Sequence, residues 1–242
     1  MGEYYNWVNV DRKEYICPAD FDLGNKLLES SAPHNAFLCA FRELLANEWR
    51  GTHVIFLGDS QALTRNEGNV TLKTLYDHSV ECGYEGVGID TVVESYKNVS
   101  GLFSAAEKDV RREIEFYVRA VKNGEPETFN EYKVNINDPY SGLFTRMGKD
   151  YKYTLNHTKK QYYSIENTVI NMPRKGVTYD PDKPEGKRFS KRPKDFKPNV
   201  DPLPYLLRHG CDGIGEWVGD IVGVSDCIPD GYILMKEITI DY

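Results

Sequence analysis

The amino-acid sequence predicts an α+β, or mixed α/β, fold: a mixed β-sheet built from two candidate half-repeats, each a hairpin, a helix and a further strand, with a helical segment inserted between them. Three observations lead there. The chain opens with a period-2 segment that puts Tyr5, Trp7 and Asn9 on one face and Asn6, Val8 and Val10 on the other. A helical stripe then runs directly into a short apolar run, one helix followed by one strand. Segments similar to both occur again in the last third of the chain.

Taken in order, the first alternation passes through the polar Asp11-Arg12-Lys13-Glu14 to Tyr15-Ile16, as a hairpin does, and Pro18 closes it. Phe37, Leu38, Phe41, Leu44 and Leu45 recur three and four residues apart and predict a helix from about His34 to Glu48, stopped by Gly51. The apolar run His53 to Leu57 before Gly58-Asp59 reads as a buried strand ending in a turn. Further helices are expected around Val70 to Val80 and Val92 to Tyr96, then a long one from about Phe103 to Lys122. In that last helix Val110, Ile114, Phe116, Tyr117 and Val121 are expected to form the buried face, and Gly124 is the stop signal. Tyr132, Val134 and Ile136 alternate like a strand, and Tyr232 to Ile240 reads as a last strand.

Tyr4 to Ile16 can be laid on Tyr151 to Tyr163 at a constant offset of 147, pairing Tyr4 with Tyr151, Asn9 with Asn156, Lys13 with Lys160 and Tyr15 with Tyr162. A second block keeps the order: Trp49 and Gly51 open the run His53 to Leu57, as Trp217 and Gly219 open Ile221 to Val224. The expected organisation is a single domain over 1–242, with half-repeats 1–66 and 151–242 sharing one mixed sheet, a helical insertion 67–125 and a basic, proline-rich loop 173–199. The competing reading is that hairpins and helix exits need such residues wherever they occur.

The chain has 242 residues, 40% hydrophobic and 28% charged, with a net charge of −7, which suits a globular protein and not a disordered one. No apolar run approaches the ~20 residues that span a bilayer, and Met1 to Trp7 lacks the basic and apolar regions of a secretory leader. Five scattered cysteines suit free thiols in a reducing compartment, so the expected location is the cytoplasm. Acidic balance disfavours nonspecific attachment to nucleic acid or anionic membrane. The exception is the loop: Pro173 to Asn199 carries nine Lys or Arg against four Asp or Glu, leaving about −12 for the rest of the chain.

Val54-Ile55-Phe56-Leu57-Gly58-Asp59-Ser60, an apolar strand delivering Gly-Asp-Ser at its carboxyl end, resembles the first sequence block of the SGNH, or GDSL, hydrolases. The resemblance implies Ser60 as an acyl nucleophile beside Asp59. It covers about seven of 242 residues. Asn135-Ile136-Asn137-Asp138 has asparagine where that family's Gly-x-Asn-Asp block has glycine, and no Asp-x-x-His supplies a base. Gly-Asp at a strand end is also simply a turn. His78 with Cys82, and His209 with Cys211, are further paired donors without the spacing of a zinc motif, so no metal and no cofactor is expected.

Three function classes follow. The first is a cytoplasmic protein-binding module, of immunity or inhibitor type and without catalytic activity, for which acidic charge and 17 tyrosines are suited. The alternatives are an SGNH-like serine hydrolase using Ser60, and a nucleic-acid or nucleotide binder using Lys187, Arg188, Lys191, Arg192 and Lys194 in the basic loop. Another protein is the expected partner, nucleic acid less so, and membrane not at all.

Overall fold

The computed structural model describes residues 3–24, 26–125, 128–171, 199–211 and 213–240. In chain order the elements are β1 (Tyr5–Asn9), β2 (Glu14–Ile16), α1 (Leu27–Ser30), α2 (Ala36–Ala46), β3 (Val54–Gly58), α3 (Val70–Glu81), α4 (Gly88–Ser95), β4 (Lys97–Asn98) and α5 (Glu107–Lys122). They continue with β5 (Tyr153–Asn156), β6 (Gln161–Tyr163), β7 (Val169–Asn171), α6 (Leu203–Leu206), β8 (Arg208–Gly210), β9 (Gly213–Ile214), β10 (Val222–Ser225), β11 (Ile233–Leu234) and β12 (Glu237–Thr239). The fold is α+β, as the sequence predicts.

The strands do not form one mixed sheet. They form a six-stranded sheet in the order β4-β2-β1-β3-β8-β9, a four-stranded sheet in the order β10-β5-β6-β11, and the pair β12-β7. Among the described residues the two larger sheets join through an antiparallel bridge between His53 and Ile221, just before β3 and β10 begin. Each of these strands has its own hairpin to join, so the contact ends there.

Those two hairpins are built alike. Trp7, Val8 and Asn9 face Ile16, Tyr15 and Glu14, while Thr154, Leu155 and Asn156 face Tyr163, Tyr162 and Gln161. Asn9 and Asn156 are fully buried at the strand ends. The Asn9 side chain accepts from the Arg12 N–H at 2.9 Å and donates to Thr52 Oγ1 at 2.7 Å. Asn156 accepts from the Lys159 N–H at 2.9 Å and donates to Asp220 Oδ2 at 2.8 Å. Lys13 and Lys160, which turn each hairpin, both have positive φ, 55° and 51°. A third strand runs antiparallel to each first strand, β3 beside β1 and β10 beside β5, and a fourth lies parallel to each second strand, β4 beside β2 and β11 beside β6.

The six-stranded sheet is covered on both sides, which is why every residue of β1 and β3 is buried. On one face Trp7 stacks on Phe41 of α2 at 3.7 Å between ring centroids and packs on Phe56 at 4.4 Å. Helix α2 starts where the Asn35 side chain accepts the Leu38 N–H at 2.7 Å, and its stripe of Phe37, Leu38, Phe41, Leu44 and Leu45 is buried throughout. On the other face Val8, Tyr15, Ile55 and Leu57 meet Leu72 and Leu75 of α3 and Val92 of α4. Helices α3 and α4 thus supply the cover for one side of this sheet.

Three local expectations change. Tyr132 to Ile136 is not a strand: the Asn130 side chain exchanges two 2.9 Å hydrogen bonds with the backbone of Val134, closing a loop in place of a ladder, and Lys133 takes φ 52°. The long helix begins at Glu107, because Phe103 is extended and the Ser104 N–H is drawn to the Arg146 carbonyl at 2.9 Å. The C-terminal segment divides into β11 and β12, each paired with a different strand.

Trp49 and Trp217 are both fully buried at the entries to β3 and β10, and the Trp49 indole donates to Glu14 Oε2 at 2.8 Å. Trp49→Ala and Trp217→Ala should each destabilise by about 3 to 5 kcal/mol. Urea melts measure it, and an unshifted midpoint for either would refute the matched packing roles.

Candidate functional site

The Gly-Asp-Ser turn ends β3 at the edge of the parallel β3–β8 pair. Ser60 is exposed, and its hydroxyl donates to Asp59 Oδ1 at 3.0 Å. Asp59 Oδ1 also accepts the Tyr4 N–H at 3.0 Å, which ties the turn to the residue before β1. His209 pairs with Leu57 and is buried, and burial lowers its imidazole pKa; its Nδ1 has no hydrogen-bond partner among the described residues. The hydroxyl of Ser60 is thus partnered by a carboxylate, and no hydrogen bond from it to a histidine occurs among the described residues.

Where open α/β sheets usually hold ligands, beyond the carboxyl ends of parallel strands, this chain places its own Glu3. That carboxylate accepts the Cys211 N–H at 2.9 and 3.0 Å, the Tyr5 hydroxyl, and the Ser60 N–H at 3.4 Å. Gly58 and Gly210 leave the room for it, since a Cβ at either would collide with Glu3. The backbone donors here are spent internally.

His78 and Cys82 do share one helix face, with Cys82 Sγ 3.5 Å from His78 Nε2, and Ser95 Oγ lies 3.0 Å from the same nitrogen. His209 and Cys211 stand apart on and beside β8. No group of three or more His, Cys, Asp or Glu that could hold a metal occurs among the described residues. Lys187, Arg188, Lys191, Arg192 and Lys194 lie outside the described residues.

A buried ionic cluster joins α2 to the second sheet. Arg42, 3% exposed, contacts Asp150 and Asp201 and reaches Thr154 Oγ1 at 3.3 Å. Asp201 also accepts the Tyr163 hydroxyl at 2.6 Å and the Leu203 N–H at 2.9 Å. Burial works against the Arg42 charge, but Asp201, Tyr163 and Asp150 outweigh it and hold the guanidinium above its ordinary pKa. A cavity of about 310 Å³ adjoins the cluster. One guanidinium held by two carboxylates from separate segments clasps these elements together.

A larger concavity is a groove of about 610 Å³ between the turn at Pro18–Phe21, helix α5 and the segment 128–134. Among the described residues it is lined by Asp20, Asp109, Glu113, Glu125 and Glu131 against one lining cation, Arg112, together with Phe116, Tyr117, Phe129 and Tyr132. Arg112 is already matched, 2.9 Å from Asp109 and 3.2 Å from Glu113. Phe116 is 54% and Phe129 42% exposed, so two large rings face water beside carboxylates.

Asp20 anchors the floor. Its carboxylate accepts Asn98 Nδ2 at 2.9 Å and the Tyr132 hydroxyl at 3.0 Å, linking the turn, β4 and the 128–134 segment. Burial raises its pKa to about 6, with Glu131 adding to the rise and the Ser100, Asn98 and Tyr132 donors opposing it. Burial, then Asp20, pushes the neighbouring Cys17 thiol up to about 12, so it stays neutral. Glu131 in turn accepts the Tyr15 hydroxyl at 3.1 Å. This groove was not among the sites expected from the sequence, because its acids come from three separate segments. The available signal was Phe116 on the predicted helix: it and Val121 are expected on the buried face, yet they are 54% and 36% exposed because that face turns past the core at Ile114.

Among the described residues no helix is long and apolar enough to cross a membrane. Comparison with protein-family models, with curated proteins and with solved structures found no match to this chain.

The raised Asp20 carboxyl has a signed consequence. Between about pH 4 and pH 6 the native residue keeps a proton that the unfolded residue, near 3.9, has released, so stability from this site is full below about 4 and falls as pH rises to 6. A carboxyl ¹³C titration of Asp20 should give a midpoint near 6, and wild type should lose on the order of 3 kcal/mol across that window relative to Asp20→Asn. A midpoint near 4 with parallel stability profiles would contradict it.

Proposed function

We propose that this chain is a protein-binding module without catalytic activity of its own, of the kind that occupies or inhibits a partner. The observation that carries the reading is the groove beside α5, which presents half-exposed aromatic rings next to carboxylates. Rings and charges of that sort supply contact area and orientation at protein interfaces. Its floor is held by hydrogen bonds to Asp20 from two other chain segments, at Asn98 and Tyr132, so little ordering is lost on binding. The hydrolase alternative finds less support, because the Ser60 hydroxyl is committed to Asp59 and backbone donors nearby are committed to Glu3.

We also propose that the two β-units are a duplication. The support is residue by residue: offset 147 aligns the hairpins and their buried asparagines, and offset 168 aligns Trp49 with Trp217, Gly51 with Gly219 and Thr52 with Asp220. Asp11 Oδ2 and Thr158 Oγ1, also related by 147, accept the N–H groups of His53 and Ile221 at 2.8 and 2.9 Å.

If the reading is right, Ser60→Ala leaves partner binding and melting temperature unchanged, and a fluorophosphonate probe labels neither protein. Labelling of wild type that Ser60→Ala abolishes would replace it with the hydrolase reading.

A further inference from the structure

We infer that the groove between the Pro18–Phe21 turn, α5 and the segment 128–134 receives lysine or arginine side chains from a basic segment of the partner protein. The inference rests on the binding-module reading and adds the chemistry of what is bound.

Charge complementarity comes first. Five carboxylates line the groove and one guanidinium opposes them, and that guanidinium is already within ion-pair distance of two of the five. With Lys133 and Arg119 seated at the Phe129 and Phe116 rings, the five lining carboxylates still outnumber the nearby cations among the described residues, so the net field is negative, and a concave wall concentrates it. A phosphate backbone or an acidic peptide would meet repulsion there.

The aromatic rings narrow the occupant further. Ring faces attract cations, and those at this groove already do so with the chain's own residues. Lys133 Nζ lies 5.5 Å from the Phe129 ring centroid, and the Arg119 guanidinium lies 5.8 Å from that of Phe116. Both rings remain about half exposed, Phe116 at 54% and Phe129 at 42%. Carboxylates for the head group and rings for the aliphatic stem are what a long basic side chain needs. At about 610 Å³ the space lies within the ~300–1,000 Å³ range of sites that enclose a ligand.

The test is fluorescence anisotropy of labelled oligolysine and oligoarginine peptides titrated with the full chain, at low and high salt. Saturable binding that weakens with salt is expected. The double variant Glu113→Lys with Glu125→Lys, both exposed, should weaken it by about tenfold or more, and Phe129→Ala by roughly threefold. The control double variant Glu67→Lys with Asp230→Lys changes net charge equally at exposed positions outside the groove and should bind as wild type does. No saturable binding, or equal weakening in the control, overturns the inference. Once a partner protein is in hand, its undiminished binding to the Glu113→Lys/Glu125→Lys variant would likewise overturn the groove assignment while leaving the binding-module reading in place. Failure of any protein to bind would remove both.

Discussion

Two buried asparagine side chains hold the β-architecture in register. Asn9 and Asn156 sit at hairpin ends with no exposed surface, and each satisfies its amide in two directions, taking an N–H from its own turn and giving one to the segment that enters the third strand. A buried amide left unmade costs about 1 to 3 kcal/mol, so any slip of a hairpin or of β3 or β10 is penalised at once. The same clamp brings His53 and Ile221 together and fixes where the two sheets meet. Everything packed on the sheets inherits that placement.

The groove is one such inheritance. Strand β4 extends the first sheet beside β2, and Asn98 from β4 then reaches Asp20 in the turn that follows β2. Tyr132 comes to the same carboxylate from the loop that the Asn130 side chain closes. Helix α5 supplies the opposite wall, with Ile114 in the core and Phe116 outside it. A rigid floor and a charged, aromatic wall thus arise from elements that the hairpin clamp has already positioned. The Arg42 cluster plays a comparable positioning part on the other side of α2, tying it to Thr154 and Asp201.

Much of this was legible in the sequence, and the reasons differ by element. The three-and-four spacing located α2 because it buries one face, and period-2 alternation located β1 because its successive residues, such as Trp7 and Val8, pack into the clusters on opposite sides of the sheet. The recurrence of Asn9 as Asn156 and of Trp49 as Trp217 pointed at positions that turn out to share hydrogen bonds and burial. Sheet membership was hidden, since strands of two to five residues carry no signal of which neighbour they choose. The apparent strand at Tyr132 to Ile136 misled because alternation says nothing of a side chain that captures the backbone, as Asn130 does. The groove was invisible for a related reason: Asp20, Glu113 and Glu131 are far apart in the chain, and only tertiary contact makes them one surface.

The central claim is that this surface recognises positively charged groups. The most direct measurement is a ¹⁵N-HSQC titration of the full chain with a lysine-rich peptide. The account predicts shift changes concentrated at residues 113–117 of α5 and at 128–132, with the amides around Ser60 and the Arg42 cluster unmoved. Changes centred on the Gly58-Asp59-Ser60 turn, or spread evenly over the acidic surface, would contradict it.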